Sequence, residues 1–291
     1  MEIGFINGEF VDITSPVIPI QERGHQFGDG VYEVVRVYRG VPFLLAEHMD
    51  RLERSAYEIK LTVPYPKAEL KQIIEEGIQR SGLEEAEVYV QVTRGIAARN
   101  HLFPDAPPSF TMTVRPIRDV PAVYYKKGVA VYTTEDIRWQ YCFIKSLNLL
   151  PNILAKQTAI DQGGYEAILV NNELVMEGSS TNVFVTKDDI VYTTPTVKGI
   201  LAGITRQKVI DLAKQLNYQV TEDFYSVEFL KAADEVFLTS TVVELLPVHS
   251  IDNDRIQGVM PGPVMSTLSE AYRTTVIQAC ENGSVSSQSN E

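Results

Sequence analysis

The sequence predicts an α+β protein of two domains, and three observations carry that prediction. Strand-like and helix-like segments alternate along 291 residues without an internal repeat. A segment with two prolines and clustered charge, RPIRDVPAVYYKKG (115–128), interrupts the alternation. A chain of this length with 44% hydrophobic and 22% charged residues suits an ordinary globular protein with room for two cores. The expected layout is a first domain over 1–118, a linker over 119–128, a second domain over 129–280 and a disordered polar tail over 281–291.

In the first domain VYEVVRVY (31–38) and GVPFLLA (40–46) read as strands joined by a turn at Arg39-Gly40. Leu45, Met49, Leu52, Ala56 and Ile59 fall at steps of four and three, the seam of an amphipathic helix. Leu70, Ile73, Ile74 and Ile78 repeat the pattern in a second helix closed by Ser81-Gly82. EVYVQVTRG (87–95) and SFTMTVRPI (109–117) alternate with period two, each offering one apolar face to those helices.

In the second domain GVAVYTTEDI resumes as strand, 147–162 reads as helix, and EAILVNNELVMEGSSTNVFVTKDDIVYTT reads as a run of short strands. Asn171-Asn172 and Lys187-Asp188-Asp189 supply its turns. A helix over 205–216 with Val209, Leu212, Ala213 and Leu216 inward, a strand DEVFLTS, and a C-terminal helix over about 263–279 complete the domain.

The net charge of −12 and the pI near 4.9 argue against a nucleic-acid groove or an anionic membrane surface as partner, while leaving room for a basic pocket around a small anion. Cys142 and Cys280 form neither a CxxC pair nor a disulfide framework, which fits packing residues in a reducing cytoplasm. MEIGFINGEFVDITS lacks the basic head of a signal peptide, and no apolar run is long enough to span a bilayer.

Within CFIKSLNLLPNILAKQ (142–157), Lys156 follows Leu149, Ile153 and Leu154 at helical spacing and snorkels from a helix end, whereas Lys145 lies between Ile144 and Leu147. An apolar setting disfavours an ammonium and yields an amine able to attack a carbonyl; an edge or surface lysine explains the same pattern. Two stretches offer backbone amides to an anion. In LAGITRQKVIDLAKQL the N–H groups of Ile204 and Thr205 open a helix, although an ordinary threonine cap accounts for the same residues. In LTSTVVE a strand ends in Ser240-Thr241, which is equally an ordinary turn. Neither stretch fits GxxxxGK[ST], and FGDG (27–30) leads into a strand, so a phosphate site here would hold one phosphate monoester, not a triphosphate. An amine and a monophosphate site are two of the needs of pyridoxal phosphate. The third is a carboxylate at its pyridine nitrogen. Glu177, at a strand end in ELVMEGSSTN, is a candidate or a solvated surface acid.

Several segments together resemble the D-amino-acid transaminases among the fold-type-IV pyridoxal-phosphate enzymes: RGHQFGDGVYEVVRVY, EHMDRL, VTRGIAARNH, EDIRWQYCFIKSLNLL, GYEAIL, EGSSTNVF, LAGITR and TST. EGSSTN followed by LAGITR marks the fold-type-IV group, while FGDGVYEVV and the Arg-x-His of ARNH point to the D-amino-acid branch. The resemblance implies an N-terminal α/β sandwich, a C-terminal barrel-like α/β domain, and pyridoxal 5'-phosphate as cofactor. It makes Lys145 the Schiff-base lysine, which also moves the Cα proton, and Glu177 the partner of the pyridine nitrogen. Arg51, Ile204, Thr205, Ser240 and Thr241 would form the phosphate cup, with Leu201 against the cofactor ring. Tyr32, Arg99 and His101 would trap the substrate α-carboxylate, the last two reaching in from the neighbouring subunit of a homodimer. His25, His48 and His249 keep structural readings, with His48 a buttress of the site.

The implied reaction is a ping-pong transamination between D-alanine and 2-oxoglutarate, giving pyruvate and D-glutamate and supplying D-amino acids for a bacterial cell wall. Asn100 within the Arg-x-His and Ala202 before GITR sit at positions that tune side-chain preference. A branched-chain L-aminotransferase or an aminodeoxychorismate lyase would share Lys145, Glu177 and the cup but lack the Arg99–His101 pair. A ligand-binding protein that has lost turnover is the alternative of another class.

Overall fold

The computed structural model describes residues 1–288. Its chain divides into two units, one of residues 1–118, 144–148 and those from Val276 on, the other of 119–143 and 149–275.

The first unit contains β1 (Ile3–Ile6), β2 (Glu9–Val11), α1 (Arg23–Phe27), β3 (Gly30–Tyr38), β4 (Val41–Pro42), α2 (Leu45–Glu58), α3 (Lys67–Ser81), β5 (Ala86–Thr93) and β6 (Ser109–Pro116). Its six strands run β2-β1-β6-β5-β3-β4, every neighbouring pair antiparallel. Period-two alternation decides what each face carries. Val31, Val35 and Val37 of β3, Val88, Val90 and Val92 of β5, and Phe110, Met112 and Val114 of β6 are all buried. Against them lie the seams of α2 (Leu45, Met49, Leu52, Ala56) and α3 (Leu70, Ile73, Ile74, Ile78), also buried. Each of these side chains larger than alanine contributes about 1.5–3 kcal/mol by leaving water. Gly77 lets α3 approach the sheet, since a Cβ there would run into the methyl of Met112. Gly82, at φ 65°, closes α3 where Ser81-Gly82 predicts its end.

GVPFLLA does not form the strand expected of it. Only Val41–Pro42 pairs with β3, because Leu44 adopts φ 54° and turns the chain into α2, whose seam claims Leu45. Residues 144–148 lie on the edge of β3: Tyr32 N–H donates to Lys145 O (3.0 Å), Leu147 N–H to Gly30 O (3.1 Å), and Ser146 bridges Val31.

The second unit contains α4 (Ala122–Lys127), β7 (Val129–Glu135), α5 (Leu150–Asp161), β8 (Glu166–Asn171), β9 (Leu174–Gly178), β10 (Asn182–Lys187), β11 (Ile190–Thr193), α6 (Ile204–Gln215), β12 (Gln219–Glu222), α7 (Val227–Lys231), β13 (Glu235–Ser240), β14 (Glu244–Ile251), β15 (Asp254–Arg255) and the start of α8 (Pro263–Gln288). Its mixed sheet runs β12-β11-β10-β13-β14-β7-β8-β9, with β15 beside β14, and curls as a half-barrel. β7 pairs in parallel with both β14 and β8, and β11 with β12. Asn172 and Glu173, and likewise Asp188 and Asp189, all take positive φ, so both hairpin turns have two left-handed central residues, the first one residue later than the expected Asn171-Asn172 because Asn171 still pairs in β8.

Three expectations are corrected here. The linker 119–128 holds α4, whose Tyr124 and Tyr125 pack on the second unit's core, with Tyr125 donating to Val243 O (3.3 Å). Apolar contact outweighs the prolines and charge that suggested a free tether. Leu216, expected inward, is 41% exposed because α6 ends at Gln215. The tail predicted over 281–291 is helical as far as Gln288, since extending an existing helix adds a hydrogen bond for each residue fixed; 289–291 lie outside the described residues. Among the described residues no helix is long and apolar enough to cross a membrane.

Candidate functional site

In the first unit Lys145 is half-buried. Its N–H donates to Ser55 Oγ of α2 (3.1 Å), and its Nζ lies 4.3 Å from the centroid of the Tyr32 ring. Tyr32 points to the less buried face of β3 and stacks on Tyr89, centroids 5.5 Å apart and planes 27° off parallel. Both backbone groups of Lys145 are thus tied to neighbouring elements, and its amine rests on an aromatic face.

Arg51 is a buried residue, not the solvated helix charge its surroundings in sequence suggest. It forks onto Glu33, Nε to Oε1 at 2.6 Å and Nη2 to Oε2 at 2.8 Å, and His48 Nδ1 lies 2.7 Å from Glu33 Oε2. Glu33 is fully buried on the apolar face of β3. Burial alone would raise its carboxyl, but Arg51 and then His48 outweigh burial and hold it well below the usual carboxylate range. Burial pushes His48 down despite the attraction of Glu33, with Arg51 and Lys145 adding repulsion.

Arg99 and His101 are exposed, on the segment joining β5 to β6. Both meet Phe27, Arg99 with its guanidinium carbon 4.5 Å from the ring centroid and His101 edge-on at 5.7 Å.

In the second unit Glu177 sits near the end of β9, 4% exposed. It accepts from Arg138 Nη1 (2.6 Å), from the N–H of Leu201 (3.2 Å to Oε2) and from Asn182 Nδ2 (3.1 Å). Arg138 is itself gripped by Asp136 through Nε (2.9 Å) and Nη2 (2.8 Å). Burial pushes the Glu177 carboxyl up to about 7, with Arg138 opposing and Asp136 assisting the rise.

Asn182 links this acid to the start of α6, since its amide also donates to Leu201 O (3.0 Å). The helix is preceded by Gly203, extended at φ −66° and ψ 133°, and no side chain caps it. Thr205 therefore lies inside the first turn, not at the cap, and the helix-start amides of Ile204 and Thr205 have no side-chain acceptor from the cap residue. A Cβ at Gly203 would overlap the Asn182 side-chain oxygen. Ser240 ends β13, whose Thr239 is paired with Asn182, so Ser240-Thr241 lies beside the same corner. Ser240 Oγ accepts from Val243 N–H (3.3 Å), which folds its turn.

The hydroxyls of EGSSTN have a separate task. Ser179, Ser180 (2.7 Å) and Thr181 (3.4 Å) all donate to Glu166, a fully buried carboxylate that also meets Lys156 Nζ at 3.3 Å. Lys156 is thus a partner of Glu166, not only a snorkelling helix residue. Among the residues around these sites, Glu33, Arg138, Asp136, Asn182 and Glu166 escape a reading of the sequence. Glu33 alone carries a signal, since period two places it on the face of Val31, Val35 and Val37.

The family described as amino-transferase class IV matches residues 30–251. The chain is 41% identical over 278 residues to the D-alanine aminotransferase of Listeria monocytogenes, covering 94% of this chain and 96% of that protein. It is 40% identical over 272 residues to the D-alanine aminotransferase of Bacillus licheniformis, covering 93% and 96%. Among solved structures it is similar to the Escherichia coli branched-chain amino acid aminotransferase, with a TM-score of 0.87 at 27% identity over 94% and 93% of the two chains. A branched-chain amino acid aminotransferase from T.th., solved with pyridoxamine 5'-phosphate, gives 0.87 at 29% identity over 93% and 92%.

Proposed function

The chain belongs to the amino-transferase class IV family, and on that premise we propose that it is a D-amino-acid transaminase using pyridoxal 5'-phosphate. It moves the amino group from D-alanine to 2-oxoglutarate in two half-reactions. The observation that carries this reading is the corner at Glu177. One buried acid is joined through Leu201 and Asn182 to a helix start without a side-chain cap, and so supplies a partner for a cationic ring nitrogen and amides for a monophosphate. The D-alanine aminotransferases, more similar in sequence than the branched-chain enzymes, support the D-branch.

When bound, pyridoxal phosphate supplies an aldehyde that condenses with amines and a protonated pyridine that withdraws electrons from Cα. The residues fit that group. Glu177, held by Arg138, would meet the pyridine nitrogen, and Leu201 would pack on the ring. Ile204 and Thr205 would give amides, Ser240 and Thr241 hydroxyls, and Arg51 positive charge to the phosphate. Glu33 and His48 keep the Arg51 guanidinium in place from behind. Lys145 Nζ would provide the amine for the aldehyde and would carry the proton between substrate Cα and the aldehyde carbon of the cofactor. Tyr32, with Arg99 and His101 of the partner subunit in a homodimer, grips the α-carboxylate and so fixes which face of Cα meets Lys145. Cys142 and Cys280 are thiols rather than halves of a disulfide, which supports a reducing, cytoplasmic setting.

The test mixes purified, cofactor-loaded protein with D-alanine or with L-leucine and follows its visible absorbance. Bleaching by D-alanine alone, with pyruvate formed, is the expected result. Bleaching by L-leucine alone would move the protein to the branched-chain activity, and no bleaching by either would remove transamination.

A further inference from the structure

Arg99 through Leu102 are all exposed, so the segment carrying Arg99 and His101 has little packing of its own to fix those side chains. Yet a buried arginine is directed at it. Arg23, 3% exposed, donates from Nη1 to the carbonyl of Asn100 (2.6 Å), the residue between Arg99 and His101, and from Nε to Asp29 (2.8 Å). Its guanidinium carbon lies 4.8 Å from the centroid of Phe27, the same ring that Arg99 and His101 meet.

The rest of the segment is anchored to the same structure. Ala97 N–H donates to Gln21 O (3.2 Å), Glu22 bridges Ile96, and Arg94 packs its guanidinium over Phe103 at 3.7 Å. Arg94 also binds Asp29 (3.0 Å) and the carbonyls of Ile59 (2.7 Å) and Lys60 (2.9 Å) just past α2. Gly95, at φ 86°, lies so close to the carbonyl of Pro107 that a Cβ would overlap it, which closes the base of the segment.

We propose that Arg23 and Phe27 are positioning residues for the carboxylate grip, Arg23 fixing the backbone between Arg99 and His101 and Phe27 giving both side chains one platform. This rests on the reading that Arg99 and His101 bind the substrate carboxylate. A guanidinium and an imidazole held in place before substrate arrives lose little freedom on binding, so the support acts on substrate affinity.

The holoenzyme variants Phe27→Leu, Phe27→Tyr, Arg23→Met, Arg99→Ala and the double Phe27→Leu/Arg99→Ala test this, with kcat and KM for D-alanine and the visible cofactor band as readouts. Removing Arg23 leaves Asp29 paired with Arg94, and Phe27→Leu disturbs no ion pair. Phe27→Leu is expected to raise KM about 5-fold, with kcat held within about 2-fold and the band unchanged. Arg23→Met raises KM in the same way. Phe27→Tyr, which keeps the ring, restores the parent value. In the Arg99→Ala background Phe27→Leu should add little, because its effect runs through Arg99. An equal penalty in both backgrounds, or an unchanged KM in both Phe27→Leu and Arg23→Met, overturns the proposal while leaving the carboxylate reading intact. An unchanged KM in Arg99→Ala overturns that reading and this proposal with it.

Discussion

Glu33 in the first unit and Glu177 in the second are both buried glutamates beside an arginine, yet their environments drive them in opposite directions. Glu33 is held well below the usual carboxylate range and Glu177 is pushed up to about 7. Burial opposes the charge of each, so burial does not separate them. The allotment of cations does. Arg51 turns two of its nitrogens to Glu33, with His48 alongside. Arg138 turns Nε and Nη2 to Asp136 and only Nη1 to Glu177, and the charge of Asp136 repels that of Glu177. A carboxylate with cations of its own is a fixed anion; one that shares its cation remains close to exchanging a proton. The proposed roles match, since a support for Arg51 needs permanent charge and a partner for a pyridine nitrogen needs a proton within reach.

The largest expected effect comes from removing the fixed anion. Glu33→Gln leaves Arg51 and His48 buried without their carboxylate and should cost about 3–5 kcal/mol in urea unfolding of the apoprotein at neutral pH. If Glu177→Gln cost as much under the same conditions, the contrast between the two acids would be wrong. A middle-sized effect follows from the raised acid. Between the ordinary value of 4.5 and about 7 the folded apoprotein keeps a proton on Glu177 that the unfolded chain has released. Stability from this group is therefore full below that window and falls as pH rises through it, by on the order of 1–3 kcal/mol. Unfolding measured at pH 4.5 and pH 7.5 should show that drop in the parent and lose it in Glu177→Gln. The smallest effect concerns a third acid. Glu166 is fully buried, but hydroxyls and a backbone N–H supply most of its bonds, and Lys156 is about one-third exposed. Lys156→Met should cost less than about 1 kcal/mol in the same unfolding assay. A loss matching that of Glu33→Gln would show that the cation, not the hydroxyls, holds Glu166.

What the sequence discloses of this arrangement follows from distance along the chain. The alternation of β3 and β5 and the seams of α2 and α3 involve near neighbours, and they are legible to within a few residues. The start of α5 falls three residues later than the expected 147, at Leu150. The strand expected over 40–46 fails because one left-handed residue, Leu44, decides between strand and helix, and composition does not reveal it. Arg138 and Glu177 meet across a separation of 39 residues, and Arg51 and Glu33 across 18. No periodicity encodes such pairs, so both arginines resemble ordinary surface charges until the strands are placed. The resemblance to a family brought Arg51 and Glu177 forward together, but named neither Arg138 nor Glu33.

The crowding of Gly203 against Asn182 has a consequence for anyone altering the protein. Ala202, exposed, offers room for a larger side chain in the turn before α6, whereas a Cβ at position 203 overlaps the Asn182 side-chain oxygen and would force that amide to move. A library randomising the whole turn should therefore lose function first at its third position, Gly203. Shortening Asn182 in the same clone makes that room, but it removes the amide that bridges Glu177 and the Leu201 carbonyl and leaves Glu177 its bonds from Arg138 and the Leu201 N–H. The turn is thus open to redesign on one side and locked on the other by a single amide.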